Sequence, residues 1–225
     1  MKVILQKISA VIFDMDGVLV DTERAWFQTT KEWLSGLIGK EWDEEEEARI
    51  TGKSVPDIYR SLNELYHLSI SGKHFFDKYN SLAENVYMVH AELNWHVKET
   101  LEAIRGSKIP IALSSSSPHS WINMMLSRFS LAQYFSVVAS SEDVGFVGKP
   151  APDIYLYTAK LLNIAPRECA VIEDSRNGVL SAVSAGMIAI GYRTLYNPNQ
   201  DLSKARAIIT DLMDIASYLH ENNHT

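Results

Sequence analysis

Cysteine is almost absent: Cys169 stands alone among 225 residues. A lone thiol forms no intrachain disulfide, which fits a reducing compartment, and a cytoplasmic location is expected. Long hydrophobic runs are missing too. None approaches the ~20 residues of a membrane span, so no membrane partner is expected. Residues 1–13 look superficially like a short signal peptide, with Lys2 and Lys7 among Val3, Ile4, Leu5 and Ile8. Cleavage near residue 20 would, however, remove the acidic pair described below. Positive charge is in short supply: 21 Lys and Arg face 28 Asp and Glu, a formal net charge of −7. That balance offers no broad attraction to nucleic acid. Seven histidines and one cysteine are too scattered to suggest zinc, and no internal repeat or low-complexity tract stands out.

What is present is material for a packed interior, with 46% hydrophobic and 10% aromatic residues in a length that suits one α/β domain or a core plus a small second domain. The most informative stretch runs Val11-Ile12-Phe13-Asp14-Met15-Asp16-Gly17-Val18. An apolar, strand-like run ends in two carboxylates one residue apart, then a glycine. Strand side chains alternate faces, so the chain must turn before Asp14 and Asp16 can share a site, and Gly17 supplies the freedom for that turn. Acidic groups at the end of a buried strand are costly unless positive charge lies nearby. A divalent cation, a lysine and a phosphate to act upon would together account for them.

Residues 8–13 are predicted to form the first core strand. Glu23 onward is helical in period, with Trp26, Phe27, Thr30, Trp33, Leu34 and Leu37 on one face, and Asp21 or Thr22 as N-cap. Further helices are expected from Pro56 and over 73–89. No strong strand signal falls between residues 23 and 90, which predicts a helical insertion. The rhythm then alternates, with strands expected near 109–114, 135–139, 170–173, 187–190 and 207–209, and helices near 97–105, 118–128, 152–163, 176–185 and 211–220. Such alternation implies a mostly parallel sheet covered on both faces, with ligands bound beyond the carboxyl ends of its strands. The acidic run at 44–47 reads as a solvated helix start, favourable at the positive end of the helix dipole.

Four segments carry chemistry: Asp14 with Asp16, Ser114-Ser115-Ser116-Ser117, Gly148-Lys149-Pro150, and Glu173-Asp174-Ser175. Each has an ordinary reading alone. Asp-x-Asp occurs in calcium loops and turns, serine runs in turns, Lys-Pro at surface turns, and Glu-Asp at helix starts. Together they fall at one edge of the expected sheet. His119 reads as helix-start decoration and Cys169 as a buried strand residue.

This set, in this order and spacing and extending to Arg176-Asn177-Gly178, resembles the haloacid dehalogenase superfamily. Within it the match is to the capped branch of sugar-phosphate phosphatases and β-phosphoglucomutase-like proteins. The resemblance implies a Rossmann-like α/β core from residues 1–19 and 92–225, with a helical cap over 20–91. It implies Asp14 as the nucleophile that becomes an aspartyl-phosphate, and Asp16 as general acid and base. It further implies Mg²⁺ held by Asp14, the backbone carbonyl of Asp16 and Asp174, with Glu173 bound directly or one layer out. Lys149 would neutralise the Asp14–phosphate contact, and Ser115 and the Ser116 N–H would bind phosphate oxygens. The dehalogenating members lack the second acid, so Asp16 favours phosphoryl chemistry.

The expected activity is therefore Mg²⁺-dependent hydrolysis of a small phosphorylated metabolite, a sugar phosphate, by a monomer. A hexose-phosphate mutase is the rival within enzymes, and a non-catalytic sugar-phosphate sensor the rival outside them. In the mutases a histidine soon follows the first motif and an arginine sits in the cap loop; here Trp26 and Val55 (in Ile50-Thr51-Gly52-Lys53-Ser54-Val55) stand in their places. Neither performs that chemistry, which favours the phosphatase. Trp26 and Lys53 are candidates to contact the leaving group, the alternative being cap packing for Trp26 and solvent for Lys53. Trp95-His96 stands where the resemblance implies Pro-Gly.

Overall fold

The computed structural model describes residues 7–50 and 53–223. Lys2, Val3, Ile4 and Leu5 of the amino-terminal run, and Thr51-Gly52 of the segment expected to form a cap loop, lie outside the described residues.

The apolar run ending before Asp14 forms strand β1 (Ala10–Phe13), buried throughout, as a strand covered on both faces must be. A two-residue strand β2 (Val20–Asp21) leads into four helices: α1 (Glu23–Ile38), α2 (Glu44–Ile50), α3 (Val55–Tyr66) and α4 (Gly72–Asn85). A second two-residue strand, β3 (Glu92–Leu93), pairs antiparallel with β2 and closes the excursion. The chain then alternates through α5 (Val97–Gly106), β4 (Ile111–Ser115), α6 (His119–Phe129), β5 (Val137–Ser140), α7 (Asp153–Leu162) and β6 (Cys169–Glu173). It finishes with α8 (Arg176–Ser184), β7 (Ile188–Tyr192), β8 (Ala207–Ile209) and α9 (Met213–Asn223). Among the described residues no helix is long and apolar enough to cross a membrane.

Six strands make one parallel sheet in the order β5-β4-β1-β6-β7-β8. The expected α/β class holds. Register does the positioning: Phe13 pairs with Leu113 of β4 on one side and Ile172 of β6 on the other. Asp14, Ser114-Ser115 and Glu173-Asp174 therefore leave the sheet at the same edge. Val11 and Phe13 pack into one core layer, Ala10 and Ile12 into the other. Ala112, Ala139 and Ala189 line that second layer with α7 and α8 residues such as Ala159 and Ala182. Side chains this small let helices approach the sheet closely.

Local capping follows the sequence in places and departs in others. Gly39 ends α1 at φ 73, donating its N–H to Ser35. Ser71 caps α4 and Ser175 caps α8. Thr22 occupies the N-cap position of α1 but makes no side-chain cap, because its hydroxyl is directed to Asp16 instead. The helix expected over 73–89 stops at Asn85 and continues as a five-residue π turn, Val86–His90. The Trp95-His96 junction places His96 in the left-handed region at φ 60, a conformation costing a residue with Cβ roughly 1–2 kcal/mol. Its ring meets Asp211 at 2.9 Å.

The acidic run departs most from expectation. Glu46 is buried at 2% exposure and bonded by Lys40 at 2.7 Å, while Glu47 faces an internal cavity. A run of four glutamates spans one turn of helix, so its members cannot all point to solvent when one face packs.

Candidate active site

Lys149 precedes α7, yet its ammonium is buried, donating to Asp14 Oδ1 and to Glu173 Oε1, each at 2.5 Å. Two carboxylates from neighbouring strands thus share one cation. Tyr155, one turn into α7, donates its hydroxyl to Glu173 at 2.6 Å and sits 5.1 Å from the ammonium over its ring. Burial pushes the Asp14 carboxyl up to about 8, with Lys149 pulling the other way and the charge of Glu173 adding to the rise. Lys149, between two carboxylates, stays charged: their attraction carries its pKa well above the ordinary lysine value despite burial.

Asp174 completes an acidic trio. Among the described residues, Asp14, Glu173 and Asp174 can each bring one oxygen within 4.8 Å of the others, and all three are buried. Three carboxylates against one ammonium leave two negative charges, matching a divalent cation, and an all-oxygen donor set suits Mg²⁺. The loop is shaped around this group. Gly17, at φ 82, lies where an added Cβ would collide with the Asp174 carboxylate. Asn197 donates to the backbone oxygens of Asp174 at 2.8 Å and Tyr192 at 2.9 Å, tying the β6–α8 loop to the end of β7. These residues fit a metal.

Asp16 turns its side chain away from that trio. Thr22 and Tyr87 donate to Oδ1 at 2.7 and 2.8 Å, and Ser117 to Oδ2 at 2.8 Å. Burial raises its pKa while these three hydroxyls oppose the rise. The carboxyl is thus held in place, near Asp14 but chemically distinct from it. Ser115 ends β4, where its oxygen accepts from the Ser117 N–H at 3.0 Å. Ser116 is partly exposed at the start of the same turn, with Ser141 Oγ donating to its carbonyl at 2.7 Å.

A cavity of about 110 Å³ opens on Asp14, Asp16, Ser115, Ser116, Lys149 and Asp174 at one end. Its other walls are helical: Trp26, Thr30, Glu47, Lys53, Ile58 and Tyr79. Trp26 both lines the space and stacks within it, 5.3 Å from Tyr79 and 5.0 Å from Trp121. Lys53 also borders the cavity, donating to Ser61 at 2.9 Å. Trp26 thus packs among aromatic neighbours while one part of it borders the cavity, as amphipathic side chains allow. The helices bear directly on the core: Trp121 donates to Asn80 at 2.8 Å, and Arg128 to the carbonyl of Tyr87 at 2.7 Å.

The sequence profile of haloacid dehalogenase-like hydrolases matches residues 11–192. The chain belongs to that family. The hydrolase is 32% identical over 200 residues to a phosphorylated carbohydrates phosphatase of Thermotoga maritima, spanning 89% of each chain. It is 34% identical over 133 residues to a phosphoglycolate phosphatase of Escherichia coli K12, covering 57% of this chain and 52% of that one. A HAD family hydrolase of Deinococcus radiodurans R1, solved with bound phosphate and sodium, superposes with a TM-score of 0.73 at 26% identity over 97% of both chains.

Asp14, Asp16, Ser115, Ser116, Lys149 and Asp174, all singled out in the sequence, border this cavity, and Glu173 lies behind it, bonded to Lys149. Sequence reasoning missed Thr22, Tyr87 and Ser117 around Asp16, Tyr155 behind Glu173, and Asn197 behind Asp174. Ser117 lay within the serine run and Thr22 only six residues after Asp16, so nearness in the chain was a usable signal. Tyr87 and Asn197 carried none, being 71 and 23 residues away from their partners.

Proposed function

We propose that this hydrolase cleaves phosphomonoesters of small metabolites, specifically sugar phosphates, through a covalent intermediate on Asp14. One observation carries the reading: a buried ammonium lies 2.5 Å from the Asp14 carboxylate on the floor of a cavity that also exposes Asp16. The division of labour is a core of residues 1–19 and 92–225 and a cap over 20–91. The cap admits and encloses the leaving group, and the phosphate end is all core.

An Asp14 oxygen attacks phosphorus while the ester P–O bond breaks in line with it. The Asp16 carboxylic acid gives its proton to the departing oxygen, as its raised pKa equips it to do. Asp16, now a carboxylate held by three hydroxyls, then takes a proton from water as that water attacks phosphorus. Inorganic phosphate leaves and Asp14 is restored. Lys149 offsets the negative charge where Asp14 and the phosphoryl group meet. Ser115, whose oxygen already accepts from the Ser117 N–H, keeps its hydroxyl proton for a phosphate oxygen. The Ser116 N–H supplies a second donor. Asp14, Asp174 and the Asp16 backbone carbonyl, with Glu173 alongside, would hold Mg²⁺, which would supply positive charge for the phosphoryl transfer.

Hydrolysis is favoured over isomerisation because Trp26 has no group able to move a proton at the mouth of the site. A sensor would not require an acid beside the nucleophile. The test is a release assay for inorganic phosphate across sugar phosphates with Mg²⁺, run beside Asp14→Asn. Turnover by the parent and its loss in the variant support the reading. Glucose 6-phosphate made from β-glucose 1-phosphate and a bisphosphate primer without free phosphate overturns it, as does ligand binding with no turnover.

A further inference from the structure

The phosphate chemistry leaves one cavity-lining carboxylate without a task. Glu47, on α2, borders the same cavity as Asp14 and Asp16, in company with Trp26, Thr30 and Tyr79. Its Oε2 accepts from the Trp42 indole N–H at 2.6 Å. Trp42 is itself fully buried, so this bond fixes where the carboxylate points. Burial pushes the Glu47 carboxyl up to about 7, with the indole bond opposing. Holding an acid in such surroundings costs stability that a glutamine or an apolar residue would not. Sites that accept this cost are where recognition or catalysis tends to occur.

Resting on the phosphatase reading above, we propose that Glu47 is a specificity residue that accepts hydrogen bonds from hydroxyl groups of the leaving group. It thereby selects neutral polyhydroxylated phosphomonoesters over carboxylate-bearing ones. An ionised carboxylate has about four acceptor positions, of which the indole bond takes one. Bonds from hydroxyls to a charged acceptor are among the stronger neutral-to-ion contacts. The neighbouring wall is aromatic: Trp26 and Tyr79, packed on one another at 5.3 Å between ring centres, both border the space. A leaving group with its own carboxylate would instead bring a second negative charge against Glu47 in a space where solvent screens poorly. Lys53, whose ammonium donates to Ser61, adds a donor at the rim.

The experiment compares kcat/KM for sorbitol 6-phosphate, glucose 6-phosphate, n-butyl phosphate and 2-phosphoglycolate in the parent, Glu47→Gln and Glu47→Asp. The first two separate open-chain from cyclic hydroxyls, and butyl phosphate has none. The expected result is a fall of about tenfold or more in the polyol-to-butyl ratio in both variants, the size of one lost charge-assisted bond. 2-Phosphoglycolate gains relative to the polyols in Glu47→Gln. That variant also melts no lower than the parent at pH 8, since a buried charge has been removed. An unchanged ratio with a lowered melting temperature overturns the proposal, assigning Glu47 to support of Trp42. So does a parent enzyme that prefers 2-phosphoglycolate. Absence of turnover by the parent on every substrate, p-nitrophenyl phosphate included, overturns the phosphatase reading itself.

Discussion

Gly178→Ala should reverse the ordinary rule that alanine stabilises helices. Gly178 lies in the first turn of α8 with no positive φ, so backbone freedom is not what keeps glycine there. An added Cβ would instead overlap the whole Glu173 carboxylate. That carboxylate is fully buried and holds four hydrogen bonds: Lys149 at 2.5 Å, Tyr155 at 2.6 Å, and the Ser175 hydroxyl and N–H at 3.1 and 3.3 Å. Displacing it loses at least the ammonium bond, worth ~1.5–3 kcal/mol, and the phenol bond, worth ~1 kcal/mol. Helix propensity returns about 1 kcal/mol. The net loss is about 1.5–3 kcal/mol, or roughly 3–12 °C in melting temperature for a chain of this size. Gly36→Ala on α1 is the internal control, since its Cβ would meet nothing within 4 Å, and it should stabilise by up to ~1 kcal/mol. Differential scanning calorimetry of both variants decides the matter. If Gly178→Ala melts at or above the parent, as Gly36→Ala should, the close packing of Glu173 against α8 is wrong.

Asp16→Asn should abolish hydrolysis of alkyl phosphates, whose leaving oxygen needs a proton, while sparing p-nitrophenyl phosphate in the first step; an alkyl rate equal to the parent's rules out the acid role. Mg²⁺ at about a hundred times its Kd should raise stability by ~2.7 kcal/mol, and Asp174→Ala should erase that rise while the melting temperature without metal changes little; an equal rise in the variant would remove Asp174 from the metal site. Glu47 adds a pH signature. Its folded pKa of about 7 exceeds the unfolded 4.5, so its contribution is intact below the unfolded value and is lost as pH rises through 7. Lys53 lines the same cavity, and Tyr79, its pKa raised well above 10, stays neutral there. The melting temperature of Glu47→Gln should thus gain on the parent between pH 5 and pH 8.

The sequence by itself determined the sheet and its chemical edge. Short apolar runs such as Val11-Ile12-Phe13 and Ala170-Val171-Ile172 read as buried parallel strands because both faces must be covered. Polar residues immediately after such runs then have nowhere to go but the carboxyl edge, which is why Asp14, Ser115 and Glu173-Asp174 were legible together. Lys149 was legible only through the family pattern, since nothing local says that a lysine before a helix turns inward. What the tertiary structure alone decided are contacts between segments far apart in the chain. Tyr87 reaches Asp16 from the π turn after α4, Tyr155 reaches Glu173 across 18 residues, and Asn197 fastens Asp174 across 23. The acidic run at 44–47 makes the same point within one helical turn. Which of four glutamates is solvated, which is buried against Lys40 and which faces the cavity depends on the surface that α2 packs against. Periodicity describes an element from inside and carries no information about its neighbours.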